Sequence, residues 1–483
     1  MARGKKQILY EDIDKREVGY YATPKFVAKY LQDRLIEINP KGVNVLDPCC
    51  GKEELLKVFN KNNKIIDGFD IIQYKEEYVC NFINKDFIEF YSMEKENLPL
   101  KYDYYIANPP YNCHEVDFIK DNKKKLNKLF NEVGTYNMYS IFIASLIDCA
   151  KDGAIIGLVT HDSFFTAKYH KGLREKILNT CTIHEITMCP RNLFLSQGAD
   201  VGTSIVILQK GKENQKKVIV SDRVATIEEF KARLEYNKKS EVKRENLVLN
   251  GEKDNNEFVI DALDDVLNIF KNKRVGEVFK CITGISTGND KLYLSKEKKD
   301  PYLIPFYKNP GRSRFYSNNY IYLHKDFIKL NAKIKNFNVR NKNFLYKSGV
   351  TCSSIGVEFT ASRLPENFTY GVNANIICND YDAWWLMGYL NSDLVTYMVR
   401  GILIRSNIIT SGYVSRIPLL EFTQEEKENL NKLSKEAYNL AKDKKSIDNI
   451  LIEINDIVNK ASKISKKSIE IIYDFKNNIK KRT

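Results

Sequence analysis

The 483-residue sequence has no apolar run long enough to cross a membrane and no Cys-x-x-Cys pair. Its cleanest apolar stretch, residues 154–160, is about a third of the ~20 residues that a membrane-spanning helix needs. The first twenty residues are charged and contain no apolar core, so we predict no secretory signal peptide. Because the ten cysteines are scattered along a long chain, we predict reduced thiols and a cytoplasmic protein. Cys113-His114 has no second ligand pair at metal spacing, and we therefore predict no metal site.

Basic residues are concentrated in the second part of the chain. There are 76 Lys+Arg and 62 Asp+Glu, for a net charge of +14, but residues 1–200 hold 28 of each. Residues 301–350 contain 10 basic residues, 11 Phe or Tyr and a single acidic residue, Asp326. Cations neutralise phosphates and aromatic rings stack on bases, so this stretch predicts a nucleic-acid-binding surface. A solvated face over an ordinary aromatic core is the alternative.

The hydrophobic content of 43% indicates a folded globular protein, and the first half of the chain has the pattern of an α/β fold. Thr23 is a suitable N-cap and Pro24 a suitable first residue for a helix ending near Ile38. Residues 211–257 are charge-rich and poorly periodic, which indicates a domain transition. We predict strands at 43–46, 64–70, 102–107, 153–160, 183–188 and 204–208, and helices at 136–150, 168–178 and within 421–483.

One tetrapeptide carries a specific chemistry. Asn108-Pro109-Pro110-Tyr111 directly follows the apolar strand 104–107, and loops at the carboxyl ends of parallel strands face the ligand crevice. The Asn108 amide oxygen and the Pro109 carbonyl offer two acceptors for the hydrogens of an exocyclic amino group, which frees the nitrogen lone pair for attack. Tyr111 offers a ring on which a planar base can stack. A proline-rich turn after a buried strand explains the prolines but neither the asparagine nor the tyrosine.

In the order of its motifs, the chain resembles the gamma-class DNA methyltransferases, which make N6-methyladenine from S-adenosylmethionine. The resemblance covers residues 20–210 and implies a Rossmann-like class I methyltransferase domain with a mostly parallel seven-stranded sheet. The implied catalytic residues are Asn108, Pro109, Pro110, Tyr111 and, as a second ring against a flipped adenine, Phe194; a core position at a strand edge is the alternative for Phe194. The implied cofactor-binding residues are Thr23, Pro24, Asp47, Cys49, Gly51, Asp70, Asp86, Phe87, Asn108 and Phe142.

The family's pattern also assigns roles to these residues. Thr23-Pro24 would approach the methionine carboxylate, Asp70 the ribose hydroxyls, and Asp86-Phe87 the adenine of the cofactor, on which Phe142 would pack. The chain departs from the family in the acidic loop 47–51, because the second glycine expected two positions after Gly51 is replaced by Glu53. This replacement predicts a less open approach of the backbone to the cofactor.

The second part of the chain loosely resembles the DNA-specificity region of the same family. We predict a methyltransferase domain at 1–250, an α+β target recognition domain at 251–420 and a C-terminal helical segment at 421–483, with Arg312, Arg314 and Arg340 as DNA-binding residues. The expected partner is double-stranded DNA, bound by a monomer, and a cognate restriction endonuclease is left open. The alternative functions are an RNA or protein-glutamine N-methyltransferase, or a DNA-binding restriction–modification subunit.

Overall fold

The structure, a computed structural model, describes residues 20–59, 64–111, 117–213, 217–236, 239–260, 262–355, 358–404 and 408–482. Cys113-His114 and residues 1–19, for which no signal peptide is predicted, lie outside these ranges. The chain divides into two units, Met1–Asn250 with Asn255–Asp261 and Gly251–Asp254 with Ala262–Thr483. Within the described ranges, every cysteine is a free thiol, and no helix has both the length and the apolarity required to cross a membrane.

The first unit is built on a nine-stranded sheet. Its strands are β1 Asn44–Asp47, β2 Ile65–Asp70, β3 Asn81–Asn84, β4 Tyr104–Ala107, β5 Ile155–His161, β6 Cys181–Met188, β7 Thr203–Lys210, β8 Lys217–Ser221 and β9 Ser240–Lys243. They lie in the order β3-β2-β1-β4-β5-β7-β6-β8-β9. The strands from β3 to β5 run parallel to one another, and β7 is antiparallel to both of its neighbours.

Both faces of this sheet are covered by helices. These are α1 Lys25–Ile38, α2 Phe87–Glu94, α3 Asp117–Asp121, α4 Lys123–Leu129, α5 Met138–Cys149, α6 Lys171–Thr180 and α7 Ile227–Glu235. Side chains of β4 alternate between two cores: Tyr104 and Ile106 pack with α1, whereas Tyr105 and Ala107 pack with α5. A strand buried on both faces requires a continuous apolar run, which is why β4 was recognisable in the sequence. Its carboxyl end then presents the polar loop that begins at Asn108.

The α/β architecture is confirmed, with two corrections. The six predicted strands are all present, each within two residues at either end. The sheet has nine strands rather than seven, because residues 211–257, predicted as a poorly periodic transition, form β8, α7 and β9. Helix α1 begins at Lys25 with Pro24 as its N-cap and no side-chain cap, so Thr23 does not cap it as predicted. The Thr23 hydroxyl is instead bonded to Asn108.

The second unit combines small antiparallel sheets with helices. Four strands, β12 Lys280–Ile282, β21 Asn375–Ile377, β18 Gly349–Cys352 and β19 Ala361–Leu364, form one sheet, and β14 Leu294–Ser295, β16 Tyr320–His324, β15 Tyr302–Tyr307 and β20 Thr369–Tyr370 form another. The shorter pairs are β13 Ile285–Ser286 with β17 Asn338–Val339 and, in the first unit, β10 Val248–Leu249 with β11 Glu257–Phe258. The helices are α8 Asp264–Ile269, α9 Val275–Val278, α10 Asp290–Tyr293, α11 Phe327–Lys333, α12 Asp380–Leu390, α13 Asp393–Tyr397, the π-helix Met398–Leu403, α14 Ser411–Val414, α15 Gln424–Lys442, α16 Asp448–Ser462 and α17 Lys466–Arg482. The helical character predicted for the end of the chain is therefore confirmed.

Candidate functional site

A cavity of about 210 Å³ opens at the carboxyl ends of β1, β2 and β4 in the first unit. This is where a parallel α/β sheet places its ligands, because the loops that follow neighbouring strands converge at this edge. Of the predicted cofactor-binding residues, the structure brings eight together in the cavity wall: Thr23, Asp47, Cys49, Asp70, Asp86, Phe87, Asn108 and Phe142. Asn108 and Pro110 of the predicted catalytic motif line the same cavity.

The acidic loop after β1 is held in a tight turn by Asp70. The Gly51 amide donates to Asp70 Oδ2 at 2.9 Å, and the Cys49 amide donates to Asp47 Oδ1 at 3.0 Å. Gly51 has φ +53°, and a Cβ there would lie 2.4 Å from the Tyr20 ring. A glycine is therefore required at 51 both by its backbone conformation and by the packing of Tyr20.

Glu53 makes the second turn of this loop without a glycine. Its φ is +64°, a left-handed conformation that costs a residue with a Cβ roughly 1–2 kcal/mol. Its side chain is buried, forms an ion pair with Lys75, and accepts a hydrogen bond from the Cys80 amide at 2.7 Å. These contacts offset the strained backbone. Glu53 therefore makes the left-handed turn for which a glycine was expected, and contacts of its side chain outside the cavity hold that turn in place.

The cavity wall carries a surplus of negative charge. Four carboxylates line it, those of Asp47, Glu54, Asp70 and Asp86, with Lys85 as a cation. Burial raises the pKa of Asp47 well above its usual range, and the negative charges of Asp70 and Glu54 raise it further. Burial also raises the pKa of Asp70. A bound cation would relieve this repulsion, so the wall suits a ligand with positive charge.

Two aromatic rings form an apolar part of the cavity wall. Asp86 caps helix α2 by accepting from the Ile88 amide at 2.8 Å, which fixes the position of the next residue, Phe87. The Phe87 and Phe142 rings are nearly parallel, with centroids 6.2 Å apart and an interplanar angle of 22°. Beside a carboxylate-lined wall, these rings suit a ligand that has both a planar ring and charged groups.

The Asn108 side chain is oriented by the segment that precedes α1. Its Nδ2 donates to the Tyr21 carbonyl at 2.8 Å and to Thr23 Oγ1 at 3.0 Å. With both amide hydrogens used in this way, Oδ1 is the atom left to act as an acceptor. In this structure Oδ1 accepts a hydrogen bond from the Tyr111 hydroxyl at 2.5 Å.

Three aromatic rings lie close to one another beside Asn108, those of Tyr21, Tyr111 and Phe194. The Tyr21 and Tyr111 rings are nearly parallel, with centroids 5.9 Å apart and an interplanar angle of 15°. Phe194 lies 6.2 Å from Tyr21 and 6.3 Å from Tyr111, and it is fully buried. The structure therefore brings Phe194 to Tyr111, as the resemblance implied, and also places it within an apolar core.

Sequence reasoning missed two residues of this arrangement. Tyr21 had no assigned role, although an aromatic residue two positions before a Thr-Pro pair was a signal. Gln197 clasps the backbone of Ala22: Oε1 accepts from the Ala22 amide at 2.7 Å, and Nε2 donates to the Ala22 carbonyl at 2.8 Å. No sequence pattern pointed to Gln197, because its partner lies 175 positions away.

His161, at the end of β5, packs edge-on against Tyr111, with ring centroids 6.2 Å apart. Its Nδ1 accepts from the Ser163 amide at 3.0 Å, and burial lowers its pKa. The His161 side chain thus completes a turn beside the rings. Within the described ranges, no group of three His, Cys, Asp or Glu side chains is arranged to hold a metal ion.

The three arginines predicted to bind DNA belong to the second unit and differ in their surroundings. Arg312 and Arg340 are exposed. Arg314 is half-buried, and its guanidinium forms an ion pair with Glu358 at 2.8 Å. Arg312 and Arg340 are therefore accessible to a phosphate, whereas Arg314 already holds an anionic partner.

The crevice at the edge of a mostly parallel sheet, with the Asn108–Tyr111 loop beside it, is the arrangement that the resemblance to α/β methyltransferases implied. Residues 80–280 match the family described as N-6 DNA Methylase. The resemblance to the N6-adenine DNA methyltransferases of restriction–modification systems is confirmed for this region.

Two curated relatives that the chain resembles are named as type II methyltransferases. The chain is 27% identical over 208 residues to the type II methyltransferase M.BanIII of Aneurinibacillus aneurinilyticus, which covers 36% of each chain. It is 26% identical over 200 residues to M.BsuBI of Bacillus subtilis, which covers 35% of this chain and 39% of the relative. The matched region thus spans less than half the length of either relative.

Solved structures share the fold over most of the chain. The type IIL restriction–modification enzyme MmeI, solved in complex with DNA, aligns with a TM-score of 0.65 and 9% identity, covering 98% of this chain and 80% of that one. A nuclease-deletion mutant of the type ISP enzyme LlaGI, solved with a DNA substrate mimic, aligns with a TM-score of 0.56 and 12% identity, covering 87% and 55%. At these identities the likeness shows the fold.

Proposed function

We propose that the protein is a sequence-specific DNA adenine-N6 methyltransferase that takes its methyl group from S-adenosylmethionine. The observation that carries this proposal is the position of Asn108. It lines the acidic cavity, and its Oδ1 is in contact with the cluster of rings formed by Tyr21, Tyr111 and Phe194. A methyl donor in the cavity and a planar base among the rings would therefore meet at a single hydrogen-bond acceptor.

The residues of the cavity fit S-adenosylmethionine. The carboxylates of Asp47 and Asp70 match its positive charge, and Phe87 and Phe142 match its adenine ring. Asp70, at the end of β2, would hold the ribose hydroxyls, and Asp86 would hold the adenine. When bound, S-adenosylmethionine supplies a methyl group on a positively charged sulfur, which is a good leaving group.

In the proposed reaction, Asn108 Oδ1 and the Pro109 carbonyl accept the two hydrogens of the target amino group. This keeps the nitrogen lone pair out of the adenine ring and directs it towards the cavity. Tyr111 gives up its hydrogen bond to Oδ1 and stacks on the base, with Phe194 as a second ring. The target nitrogen would form its new bond to the methyl group that S-adenosylmethionine supplies, and it would then release one of its two hydrogens as a proton to solvent. Fixed acceptors and exclusion of water supply the acceleration.

The decisive experiment is expression in a host that lacks DNA methylation, followed by mapping of modified adenines across its genome. The proposal requires N6-methyladenine at one short recurring sequence. In a host that expresses the Asn108→Ala variant instead, that sequence should stay unmodified. Labelled methyl transfer to DNA, RNA and protein acceptors tests the alternatives in parallel. Transfer to RNA or to protein glutamine alone would overturn the proposal, as would binding to DNA without transfer to any acceptor.

Cofactor binding should depend on pH because the cavity carboxylates hold protons more tightly than usual. Because the pKa values of Asp47 and Asp70 are raised, protons begin to compete with a cationic ligand at a pH above the range in which carboxylates ordinarily titrate. As pH falls into the range where these carboxyls take up protons, we expect the affinity for S-adenosylmethionine to fall, by up to roughly tenfold per unit of difference between their pKa values in the free and bound states. S-adenosylhomocysteine, whose sulfur is neutral, is the matched ligand and should lose less affinity. Equal pH slopes in calorimetric titrations of the two ligands would contradict this role.

Salt dependence tests the proposed DNA contacts of the second unit. Each phosphate neutralised contributes about −0.9 to the slope of log K against log salt concentration. Removing Arg312 or Arg340 should flatten the slope by about one such step, or relax the sequence preference if the side chain reads a base. Arg314→Ala should change the slope less, because its charge is already paired. Lys432→Ala, on the exposed face of α15, is the control and should leave the slope unchanged. If the slope is also unchanged on removal of Arg312 and of Arg340, neither arginine contacts the DNA.

A further inference from the structure

Segment 21–23 is held between two different parts of the site. On one side, Asn108 Nδ2 bonds to the Tyr21 carbonyl and the Thr23 hydroxyl. On the other side, the Gln197 amide group bonds to both the amide and the carbonyl of Ala22. Tyr21 and Thr23 also line the acidic cavity. Segment 21–23 therefore contacts the cavity, the catalytic asparagine and the loop that contains Gln197.

The loop 191–197 brings Phe194 to the rings. It is a 3-10 helix that ends at Gly198, whose φ of +85° is left-handed, and the Ala199 amide donates to the Phe194 carbonyl at 3.2 Å. Phe194 and Gln197 are thus set in one short, closed element. Since Gln197 is bonded to Ala22 through two parallel contacts, segment 21–23 and this element are fixed in register with one another.

The ring cluster has an arrangement that a base must change. Tyr21 and Tyr111 stack on each other, and the Tyr111 hydroxyl occupies Asn108 Oδ1. For a base to stack on Tyr111 and bond to Oδ1, the two tyrosine rings must separate and the hydroxyl must leave. Tyr21 moves with segment 21–23, so the position of this segment affects both the cavity and the space for the base.

We propose that Gln197 is a positioning residue that couples cofactor binding to base capture, by linking segment 21–23 to the Phe194 loop. This inference rests on the proposed function and adds a regulatory link within that site. Contacts made by the cofactor to Thr23 fix segment 21–23. Gln197 transmits that position to the loop that carries Phe194, which lowers the cost of ordering the ring cluster around a base. By linkage, DNA binding strengthens cofactor binding by the same factor.

The test is a binding cycle with four dissociation constants. Sinefungin, a non-reactive analogue of S-adenosylmethionine, is titrated with and without a duplex containing the mapped methylation site, and the duplex is titrated with and without sinefungin. For the wild-type protein we expect each ligand to strengthen the other about tenfold, within the usual range of 5–150-fold. In Gln197→Met, which keeps the side-chain length but removes both hydrogen bonds, the coupling factor should fall below about twofold, while each binary affinity changes less than about threefold.

The same substitution at Gln209, whose Oε1 bonds to His184 on the neighbouring strand, is the matched control and should leave the coupling unchanged. Gln197→Glu gives a second variant, since a carboxylate can still accept from the Ala22 amide but repels the Ala22 carbonyl; it should couple weakly. Full coupling in Gln197→Met, or no coupling in the wild-type protein, overturns the inference. A wild-type protein that binds sinefungin but no duplex overturns the proposed function instead, so the two failures are distinguishable.

Discussion

We expect the Asn108→Ala substitution to lower the rate of methyl transfer by about 10³-fold, with little change in thermal stability. A preorganised hydrogen-bonding group at the reacting atom is commonly worth 10²–10³-fold in kcat. Asn108 also holds segment 21–23 through two bonds, and their loss adds a positioning error at the rings. Single-turnover transfer of labelled methyl groups to the mapped duplex measures the effect directly.

A control distinguishes this effect from misfolding. Asn81→Ala replaces an exposed asparagine at the start of β3, in the same unit, and should retain transfer to within about twofold. The affinity of Asn108→Ala for S-adenosylhomocysteine should stay within about tenfold of the wild-type value, because most of the cavity wall is intact. If Asn108→Ala keeps more than about a tenth of the wild-type rate, Oδ1 is not the acceptor that activates the amino group.

Asp254→Ala should cause the largest loss of stability, in the second unit. Asp254 is buried and bonds to two buried arginines: Arg274 Nη2 at 3.0 Å and Arg416 Nη2 at 3.4 Å. Removing one partner of a buried ionic group leaves charge without compensation and typically costs about 3–5 kcal/mol. Calorimetry should show the transition of the second unit at a lower temperature, with the site in the first unit still able to bind cofactor.

The contrasting variant is Asp300→Asn, which breaks the exposed ion pair with Lys325. Exposed pairs are screened by water and salt, so no detectable shift of the unfolding midpoint is expected. Similar midpoints for Asp254→Ala and Asp300→Asn would mean that the two arginines find other partners when Asp254 is removed. That outcome would mean that the ion pairs of Asp254 with Arg274 and Arg416 do not hold residues 251–254 in the second unit.

Much of the sheet was predictable because its central strands are buried on both faces. The apolar runs of β4 and β5 stand out from polar loops, and the loop proposed as catalytic could be located because it directly follows β4. Strands β3, β8 and β9 lie at or near the sheet edges; β3 and β9 have no buried side chain, and polar or charged residues interrupt the apolar pattern of all three. Their formation depends on a neighbouring strand rather than on their own sequence.

The site was predictable where motifs are local and unpredictable where partners are distant. Asn108 and Tyr111 were evident from four consecutive residues. Glu53 was noticed as a missing glycine, but its compensation depends on Lys75 and Cys80, 22 and 27 positions away. Gln197 belongs to no motif, and its role follows only from the folded backbone of Ala22. Tertiary contacts of this kind carry no periodic or compositional signal.

The hydrogen bond from Tyr111 to Asn108 has a consequence for turnover under the proposed function. An unmethylated amino group offers two hydrogens, one for Oδ1 and one for the Pro109 carbonyl, and thus outcompetes a single phenol. N6-methyladenine retains one hydrogen on that nitrogen. The Tyr111 hydroxyl lies three residues away on the same loop, so it can then re-form its hydrogen bond to Asn108 Oδ1 without having to diffuse to it. Under the proposed function, the hydrogen bond that Tyr111 makes to Asn108 in the free protein would therefore favour release of the methylated product.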